Sequence, residues 1–549
     1  MINLSRLKIP SIAIGLGIVS AIGFAPLNWW GVTLLAIAAL MWLALQAERL
    51  RSAAALGWFF GVGHFAIGLN WIATAFTFQN SMPHWLGWIA VMLLALYLAI
   101  FPALAVGLAW SLALLPRWLL RRKADIADRK RRMQLAKIVS VEMLTVRERM
   151  AIAADPYAFI PAFAGTWIVT EYLRSVAFTG FAWNPLGVIM ISADSAEPAF
   201  MGLTRLVGTY GLSGIMVLIA GIWLLAVLPG GKRQRWLRVG FALLAAMLCQ
   251  ILSAYMLRPL PPRTEPLIRV VQPNINQNEK WDVKLQQANF TRLAALSGKP
   301  GPKPRLLLWP EAATADYLEL EPMARARIAA LLGPRDIVLL GGDALEIDKA
   351  GELIGARNSL FALDAKGDIR GRYDKAHLVP YGEYLPARTI LSAIGLSRLV
   401  PGDIDFWSGA GPATMQLPGF GKAGIQICYE IIFSGQVVDA GNRPDFLFNP
   451  SNDAWFGKWG PPQHLAQARL RAAEEGVPII RSTPTGISAV IDADGRLLNA
   501  LRWRQPGVIE TALPGPHGPT PFARWGNLLP LLFAALLMAA GIAIAAKRR

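Results

Sequence analysis

The sequence predicts a protein in two parts: a polytopic α-helical membrane domain of eight transmembrane helices, and an α/β domain inserted before the last helix. Of the 549 residues, 54% are hydrophobic and only 16% are charged, whereas soluble domains are about a quarter charged. The apolar residues are concentrated in runs that approach the roughly 20 residues needed to cross a bilayer core. Between the last two runs, strand-like and helix-like patterns alternate, which is typical of a layered α/β domain.

Eight apolar runs are the candidate membrane helices. We interpret the first as an anchor rather than a signal peptide, because no small-residue cleavage site stands out and further runs follow at once. Glu171 and Arg174, at i and i+3 of the fifth run, can pair on one helix face, although helix packing is the simpler interpretation. The runs cover residues 9–26, 31–46, 53–76, 85–106 with an extension toward 115, 159–172, 203–228, 237–256 and 528–546.

The basic segments predict the orientation. Alternating eight spans puts every basic cluster on one side of the membrane, and the positive-inside rule makes that side cytoplasmic. The α/β domain then lies on the opposite side, which in a bacterium is the periplasm. The clusters are the N-terminus, residues 48–51, an insert at 117–150, residues 232–238 and the tail 547–549. The predicted domains are 1–257 with spans one to seven, 263–521, and 526–549 with the eighth helix and the cytoplasmic tail.

The charge and cysteine content narrow the function classes. The formal net charge is +18, but we exclude nucleic acid as a partner because the basic residues lie between apolar runs, where they set orientation. The 117–150 insert is either a solvated loop that fixes topology or a site for anionic lipid headgroups. Cys249 lies in an apolar run and Cys428 in the α/β domain, so no disulfide is expected.

Within residues 263–521, short apolar and β-branched runs alternate with helical patterns. Paired strands with helices between them predict layers of sheet and helix. The predicted helices cover 283–296, 322–332 and 463–475. The predicted strands cover 267–271, 305–309, 337–341, 358–363, 369–373, 425–428, 445–449, 477–481 and 487–491.

Three strand ends present residues that together suit acyl chemistry: Glu311, Lys375 and Cys428. A carboxylate can take a thiol proton and return it to the leaving group. An ammonium can lower the pKa of the thiol and stabilise an oxyanion. A small buried hydrophobe is the alternative for the cysteine by itself. No spacing indicates a metal site or a cofactor, and His377 and His464 stand alone, so we expect both histidines to be structural.

The order and spacing of three motifs resemble the nitrilase superfamily, whose soluble members use a Glu-Lys-Cys triad on an αββα sandwich. The glutamate and lysine are 64 positions apart and the lysine and cysteine 53. The resemblance therefore implies a nitrilase-like αββα fold for the α/β domain. The motifs are Trp309-Pro310-Glu311, Tyr373-Asp374-Lys375 and Ile427-Cys428-Tyr429-Glu430.

The membrane runs narrow the resemblance to the apolipoprotein N-acyltransferase family, which carries a nitrilase-like insertion before its last span. Two departures stand out: Pro484 where the family has an asparagine, and the longer 117–150 insert. The first bears on substrate positioning and the second on the cytoplasmic side. Further family-like pieces are 271–275 with Trp281, 377–386, 451–457, 481–483 and, before the domain, Gly180-Phe181-Ala182-Trp183.

The resemblance implies a reaction and its participants. Cys428 would take an acyl chain from a phospholipid as a thioester, and the N-terminal amine of a diacylglyceryl-cysteine lipoprotein would take the chain as an amide. It implies Glu311 as general base, Lys375 as oxyanion support, and Glu383, Tyr429 and Glu430 as positioning residues. Trp281 is either a gate or acyl-chain contact, or a core aromatic.

The resemblance also implies a setting. We expect a monomer in the bacterial inner membrane with the catalytic domain in the periplasm, no metal and no cofactor. The alternative function is a membrane-tethered amidase that uses water as the acceptor. A tether needs only one span rather than eight, which favours the acyltransferase.

Overall fold

A computed structural model describes the chain at residues 8–78, 83–115, 154–191, 200–229, 231–258, 260–386, 388–393 and 405–547. The basic insert at 117–150 and its two interpretations lie outside these residues. Eleven principal helices among them are labelled here in chain order. They are α1 Lys8–Ala21, α2 Trp30–Leu45, α3 Leu50–Gly68, α4 Leu86–Leu115, α5 Pro156–Val176, α6 Thr204–Val227, α7 Lys232–Met256, α8 Gln286–Ser297, α9 Pro322–Ala329, α10 Gly460–Glu475 and α11 Leu528–Lys547.

All eight predicted apolar runs contain a helix, namely α1 to α7 and α11, but the count of eight spans is not established by their length and composition. Among the described helices, four are long and apolar enough to cross a membrane, and α3 with the following segment Ile72–Phe78, bent by 47°, makes a fifth. Helix α1 has 14 residues and spans about 21 Å at 1.5 Å per residue. That length is shorter than a hydrocarbon core of about 30 Å.

Glu171 and Arg174 do not form the ion pair that their spacing in the fifth run allows. Glu171 Oε1 instead accepts hydrogen bonds from Trp167 Nε1 at 3.0 Å and from the Leu186 N–H at 2.7 Å. Arg174 Nη1 donates to the Trp183 carbonyl at 2.8 Å. Both side chains therefore hold the segment that follows α5. We call residues 177–184 of that segment the membrane-domain loop.

The α/β domain contains two six-stranded sheets. The strands are β1 Leu267–Gln272, β2 Arg305–Leu308, β3 Ile337–Ile347, β4 Leu353–Asp364, β5 Ile369–Asp374, β6 Thr414–Leu417, β7 Gly421–Ile425, β8 Phe446–Pro450, β9 Ile479–Ser482, β10 Ala489–Ile491, β11 Leu497–Ala500 and β12 Gly507–Ala512. The first sheet has the order β12-β1-β2-β3-β4-β5, with β1, β2 and β3 parallel, and the second has the order β11-β10-β9-β8-β7-β6, with β7, β8 and β9 parallel.

The two sheets pack face to face and are covered by helices, as predicted for an αββα sandwich. Alternate residues of the first sheet, such as Ile268 and Leu308, pack in one core with Ile425 and Phe448 of the second sheet. The intervening residues, such as Leu307, face outward and pack with α8 and α9. This alternation follows from the period of two along a strand.

Helix α10 lies between the second sheet and the membrane helices. Ala468 and Ala472 on one face pack in the core of the α/β domain, whereas Ala466 and Leu470 on another pack with membrane-helix residues. Every described side chain from Gln463 to Glu475 is buried. The carboxyl ends of β7 and β8 therefore lie close to the membrane domain, and the candidate site lies at these strand ends.

Candidate active site

The chain turns sharply at Cys428. Strand β7 ends at Ile425, earlier than the predicted strand, and a 3₁₀ turn runs from Cys428 to Ile432; we call it the cysteine turn. Cys428 has a φ of 50°, in the left-handed region that residues other than glycine rarely adopt. Its side chain is buried. A tight turn directly after a strand fixes the direction of the thiol.

Glu430 ties the cysteine turn to the loop that carries the lysine. Its carboxylate accepts from the Ile427 N–H at 2.6 Å within its own segment. It also accepts from the N–H groups of Ala376 at 2.7 Å and His377 at 3.1 Å, directly after Lys375. We call residues 375–383 the lysine loop. With three backbone donors on one buried carboxylate, the geometry fits the positioning role predicted for Glu430.

Lys375 lies between two buried carboxylates. Its Nζ is 2.9 Å from Glu383 Oε1 and 3.5 Å from Glu311 Oε1. Burial alone would lower the pKa of Lys375, but the charges of Glu383 and Glu311 outweigh it and raise that pKa above its usual range. The lysine is therefore an ammonium at any physiological pH. The structure brings together two predicted triad members and Glu383, which the sequence analysis gave as a positioning residue.

Asn358 is a site residue that the sequence reasoning missed. It lies in β4 and is buried. Its Nδ2 donates to Glu311 Oε1 at 2.7 Å and to Glu383 Oε1 at 2.9 Å. Glu311 Oε2 is also buried and has no hydrogen-bond partner among the described residues. Asn358 therefore fixes one carboxylate oxygen of Glu311 and leaves the other able to accept a proton.

The thiol of Cys428 is protonated at rest. Burial raises its pKa well above the usual range, and the Glu311 carboxylate raises it further; Lys375 lowers it but does not prevail. Lys375 lowers the pKa of the thiol, as the sequence predicted, but burial is the largest effect and makes the net shift upward. A protonated thiol needs a base at the moment of attack.

The cysteine turn and the lysine loop also contact the membrane-domain loop. Tyr429 donates from its hydroxyl to the Gly180 carbonyl at 3.4 Å. His377 Nε2 lies 2.9 Å from the Thr179 carbonyl oxygen, and its ring packs on Phe433 with centroids 3.9 Å apart. His377 therefore has a structural contact, as expected, and Tyr429 is held from the membrane side.

His464, expected to stand alone, instead lies behind Cys428, the predicted nucleophile. Its Nε2 is 3.1 Å from the Cys428 carbonyl oxygen, and its Nδ1 is 2.9 Å from both Asp453 Oδ1 and Arg481 Nη2. Asn449 Nδ2 is 3.4 Å from the same carbonyl. These residues come from β8, the segment after it, α10 and β9, so no short motif in the sequence could have revealed the cluster.

The same cluster is the one group of described residues with a metal-like arrangement. Ligand atoms of Cys428, Asp453 and His464 lie within 4.8 Å of one another. Both ring nitrogens of His464 already have hydrogen-bond partners, and the Arg481 guanidinium contacts Asp453. A cation beside that guanidinium would be repelled, so the donor set fits a hydrogen-bonded network better than a metal centre.

Trp281 lines a cleft on the other side of Glu311. The cleft has a volume of about 220 Å³, and Pro310, Glu311 and Pro484 also line it. Trp281 is 38% exposed, so it is not a core aromatic. Lys280, a residue that the sequence reasoning missed, donates from Nζ to the Glu311 carbonyl at 3.0 Å. Trp281 and Pro484 thus share the wall of a cleft that reaches the predicted base.

Comparisons with known proteins agree on one family. Residues 16–222 match the apolipoprotein N-acyltransferase N-terminal domain, and residues 267–516 match the carbon-nitrogen hydrolase family. A relative named apolipoprotein N-acyltransferase from Rhodopseudomonas palustris is 33% identical over 96% of this chain and 93% of its own. Relatives of the same name from Bradyrhizobium diazoefficiens and Sinorhizobium fredii are 32% and 35% identical, covering 98% and 85% of this chain and 94% and 81% of theirs.

Proposed function

The chain belongs to the apolipoprotein N-acyltransferase family and is an N-acyltransferase, and from this premise we propose the route of transfer. An acyl chain leaves a membrane phospholipid, forms a thioester on Cys428, and passes to the N-terminal amine of a diacylglyceryl-cysteine apolipoprotein. The observation that carries the proposal is a buried ammonium between two carboxylates, next to a buried thiol whose pKa both Glu311 and Lys375 shift.

In the first half-reaction, sulfur attacks the ester carbonyl of the phospholipid. The free Oε2 of Glu311 takes the thiol proton as the C–S bond forms. The Lys375 ammonium stabilises the tetrahedral oxyanion. The C–O bond to glycerol then breaks, Glu311 returns the proton to the glycerol oxygen, and a lysophospholipid leaves. A base that acts during the attack suits a thiol that is protonated at rest.

In the second half-reaction, the neutral N-terminal amine of the lipoprotein attacks the thioester carbonyl. Glu311 takes a proton from the amine as the C–N bond forms. It then returns that proton to sulfur as the C–S bond breaks. The amide product is more stable than the thioester, so the second step is downhill and the enzyme returns to its starting state.

The remaining predicted residues act by positioning Glu311, Lys375 and Cys428 or by contacting the substrate. Glu383 shares the Lys375 ammonium and accepts from the Val379 N–H at 2.8 Å, which supports a positioning role. Tyr429 and Glu430 fix the cysteine turn from two sides through the contacts given above. For Trp281, we propose contact with a substrate chain in the cleft beside Glu311.

We further propose the setting of the reaction. All eight apolar helices span the membrane, with α1 and α2 as short spans and α3 as a bent one. The domains are 1–257, the periplasmic catalytic domain 263–521, and 526–549, and the protein is a monomer of the bacterial inner membrane. The supporting observations are the one-sided basic segments and the burial of α10 between the catalytic sheets and the membrane helices.

Steady-state kinetics test the covalent route. If donor and acceptor bind in turn, double-reciprocal plots against phospholipid at several lipopeptide concentrations are parallel. Cys428→Ala should then abolish transfer while the protein still folds and inserts. Intersecting lines, or turnover by purified Cys428→Ala, would instead require direct transfer within a ternary complex.

A further inference from the structure

The imidazole of His464 contacts the backbone of the nucleophile rather than its thiol. We propose that His464 is a positioning residue: its Nε2–H holds the Cys428 carbonyl and thereby fixes the direction of the sulfur. The inference rests on the proposed role of Cys428 as nucleophile and goes beyond it, because it assigns a function to a buried histidine outside the triad. The 3.1 Å contact between Nε2 and the carbonyl oxygen is its starting point.

The backbone at Cys428 needs such a restraint. Its φ of 50° lies in the left-handed region, which L-residues avoid because Cβ approaches the carbonyl oxygen. The carbonyl accepts from His464 at 3.1 Å and from Asn449 Nδ2 at 3.4 Å, so the histidine provides the shorter bond. Without it, the carbonyl is free to rotate toward a relaxed conformation, and the thiol attached to the same Cα moves with it.

The surroundings of the ring determine which nitrogen carries the proton. A carbonyl oxygen can only accept, so Nε2 must be the donor. Nδ1 lies 2.9 Å from both Asp453 Oδ1, which can only accept, and Arg481 Nη2, which can only donate. Burial and the charge of Arg481 lower the pKa of His464, and they outweigh the Asp453 carboxylate, which raises it. The contact with the Cys428 carbonyl therefore requires hydrogen on Nε2, whichever of its two neighbours Nδ1 bonds to.

His464 is poorly placed to act as the base. One of its ring nitrogens lies within 4.8 Å of the Cys428 sulfur, so a role as the base that takes the thiol proton has to be considered. Its Nε2 proton is used by the carbonyl, and its Nδ1 is engaged by Asp453 and Arg481. The ring is fully buried and packs between Trp183 and Phe456, with centroids 5.3 and 5.7 Å away. No lone pair is left to accept the thiol proton.

Two polar substitutions of different reach test the inference. In His464→Gln, the side-chain N–H group lies near the position of Nε2, whereas His464→Asn ends one carbon short of it. Single-turnover acylation by phospholipid, followed by intact mass against time, measures the step. A misplacement of about 1 Å costs roughly 100-fold in rate, so we expect that loss for His464→Asn, a loss below about tenfold for His464→Gln, and an unchanged KM for phospholipid in both.

A third variant and a control separate positioning from packing. His464→Phe keeps an aromatic ring between Trp183 and Phe456 but has no donor, so it should be as slow as His464→Asn. The control His517→Phe removes a half-buried histidine that contacts Asp494, away from the site, and should acylate at the wild-type rate. The thermal midpoint of each purified variant reports whether it is folded.

The outcomes are distinguishable. Wild-type acylation rates in both His464→Asn and His464→Phe would overturn the positioning role. Equal large losses in all three His464 variants, with the loss of one limb of the pH–rate profile, would make the imidazole the base and would also overturn it. An acyl adduct on Cys428→Ala would refute the proposed function itself, independently of His464.

Discussion

Replacing Lys375 by methionine is the most informative test of the buried charge cluster. Methionine keeps an unbranched chain of similar volume and removes only the charge and its hydrogen bonds. In the wild type, the ammonium lies 2.9 Å from Glu383 and 3.5 Å from Glu311, and its side chain is 2% exposed. In Lys375→Met, two buried carboxylates face each other with Asn358 as their shared donor.

The size of the effect follows from burial. Removing one partner of a buried ion pair costs about 3–5 kcal/mol, because the remaining charge is left without compensation. For a catalytic domain of this size, each kcal/mol lowers the midpoint of unfolding by about 2–4 °C. We therefore expect Lys375→Met to melt roughly 6–20 °C below the wild type at neutral pH. It should also form no acyl-enzyme, since the oxyanion has lost its cation.

The pH dependence gives a second readout with a defined sign. The charges of Glu383 and Glu311 raise the pKa of Lys375 in the folded state above its usual value of 10.5. A group with a raised folded pKa contributes stability below its unfolded pKa, and this contribution is lost as pH rises through the folded pKa. The gap between mutant and wild-type midpoints should therefore keep its full size from mildly acidic to neutral pH and narrow only as pH rises above 10.5.

Differential scanning fluorimetry of the detergent-purified protein measures both effects. Lys303→Met is the matched control, because Lys303 pairs with Glu265 at 2.8 Å on the surface, where the two side chains are 58% and 61% exposed. Water screens that pair, so the control should melt with the wild type. If Lys375→Met also melts with the wild type at neutral pH, the cluster does not hold the buried charges that we describe.

Three further predictions concern reactivity and topology. The Cys249→Ala variant should be fully active and leaves Cys428 as the single thiol. In this background, alkylation of Cys428 by iodoacetamide should still accelerate above pH 9, because burial raises the pKa of that thiol above its usual value of 9.0. A rate that reaches a plateau below pH 8 would contradict this. In Glu311→Gln, Cys428 should be alkylated faster than in the wild type at a given pH, because the Glu311 carboxylate raises the thiol pKa. The same variant should lose about 10²–10⁴-fold in acyl transfer. Slower alkylation would contradict the effect of the Glu311 charge on the thiol. In intact spheroplasts, an impermeant thiol reagent should label an engineered cysteine at Gly301 but not one at Lys130, and the reverse pattern would overturn the proposed orientation.

The large-scale organisation was predictable because it depends on local pattern. Each apolar run contains a helix, and residues 267–516 match the carbon-nitrogen hydrolase family, in agreement with the predicted sandwich. The number of spans was less predictable, since a run of apolar residues does not show where its helix ends. Helix α1 ends at Ala21, five residues before the predicted end of its run, and α3 ends at Gly68 before a bend.

The site was predictable only for residues that lie at strand ends within recognisable motifs. Glu311, Lys375 and Cys428 are of this kind. Asn358 looked like the first residue of an apolar strand, and nothing local shows that it bridges two carboxylates. His464 contacts the carbonyl of Cys428, which is 36 positions away in the sequence. Such contacts depend on how distant segments pack, which a single sequence does not reveal.

The thiol pKa shows a related limit. The residue types alone suggested that an ammonium near Cys428 would lower the pKa of its thiol. In the folded chain, burial and the Glu311 carboxylate prevail over Lys375. The sign of the shift depends on how deeply the group is buried, and burial is set by the cysteine turn and its contacts.

The intact mass of the purified protein after incubation with a phospholipid of defined acyl chains tests the central claim most directly. We predict a species heavier by one acyl chain, formed without any lipoprotein, lost on treatment with hydroxylamine and discharged when a lipopeptide acceptor is added. Cys428→Ala should show no such species, whereas Cys249→Ala should form it at the wild-type rate. An active preparation that never carries an acyl adduct, even when the acceptor is withheld, would contradict the thioester route.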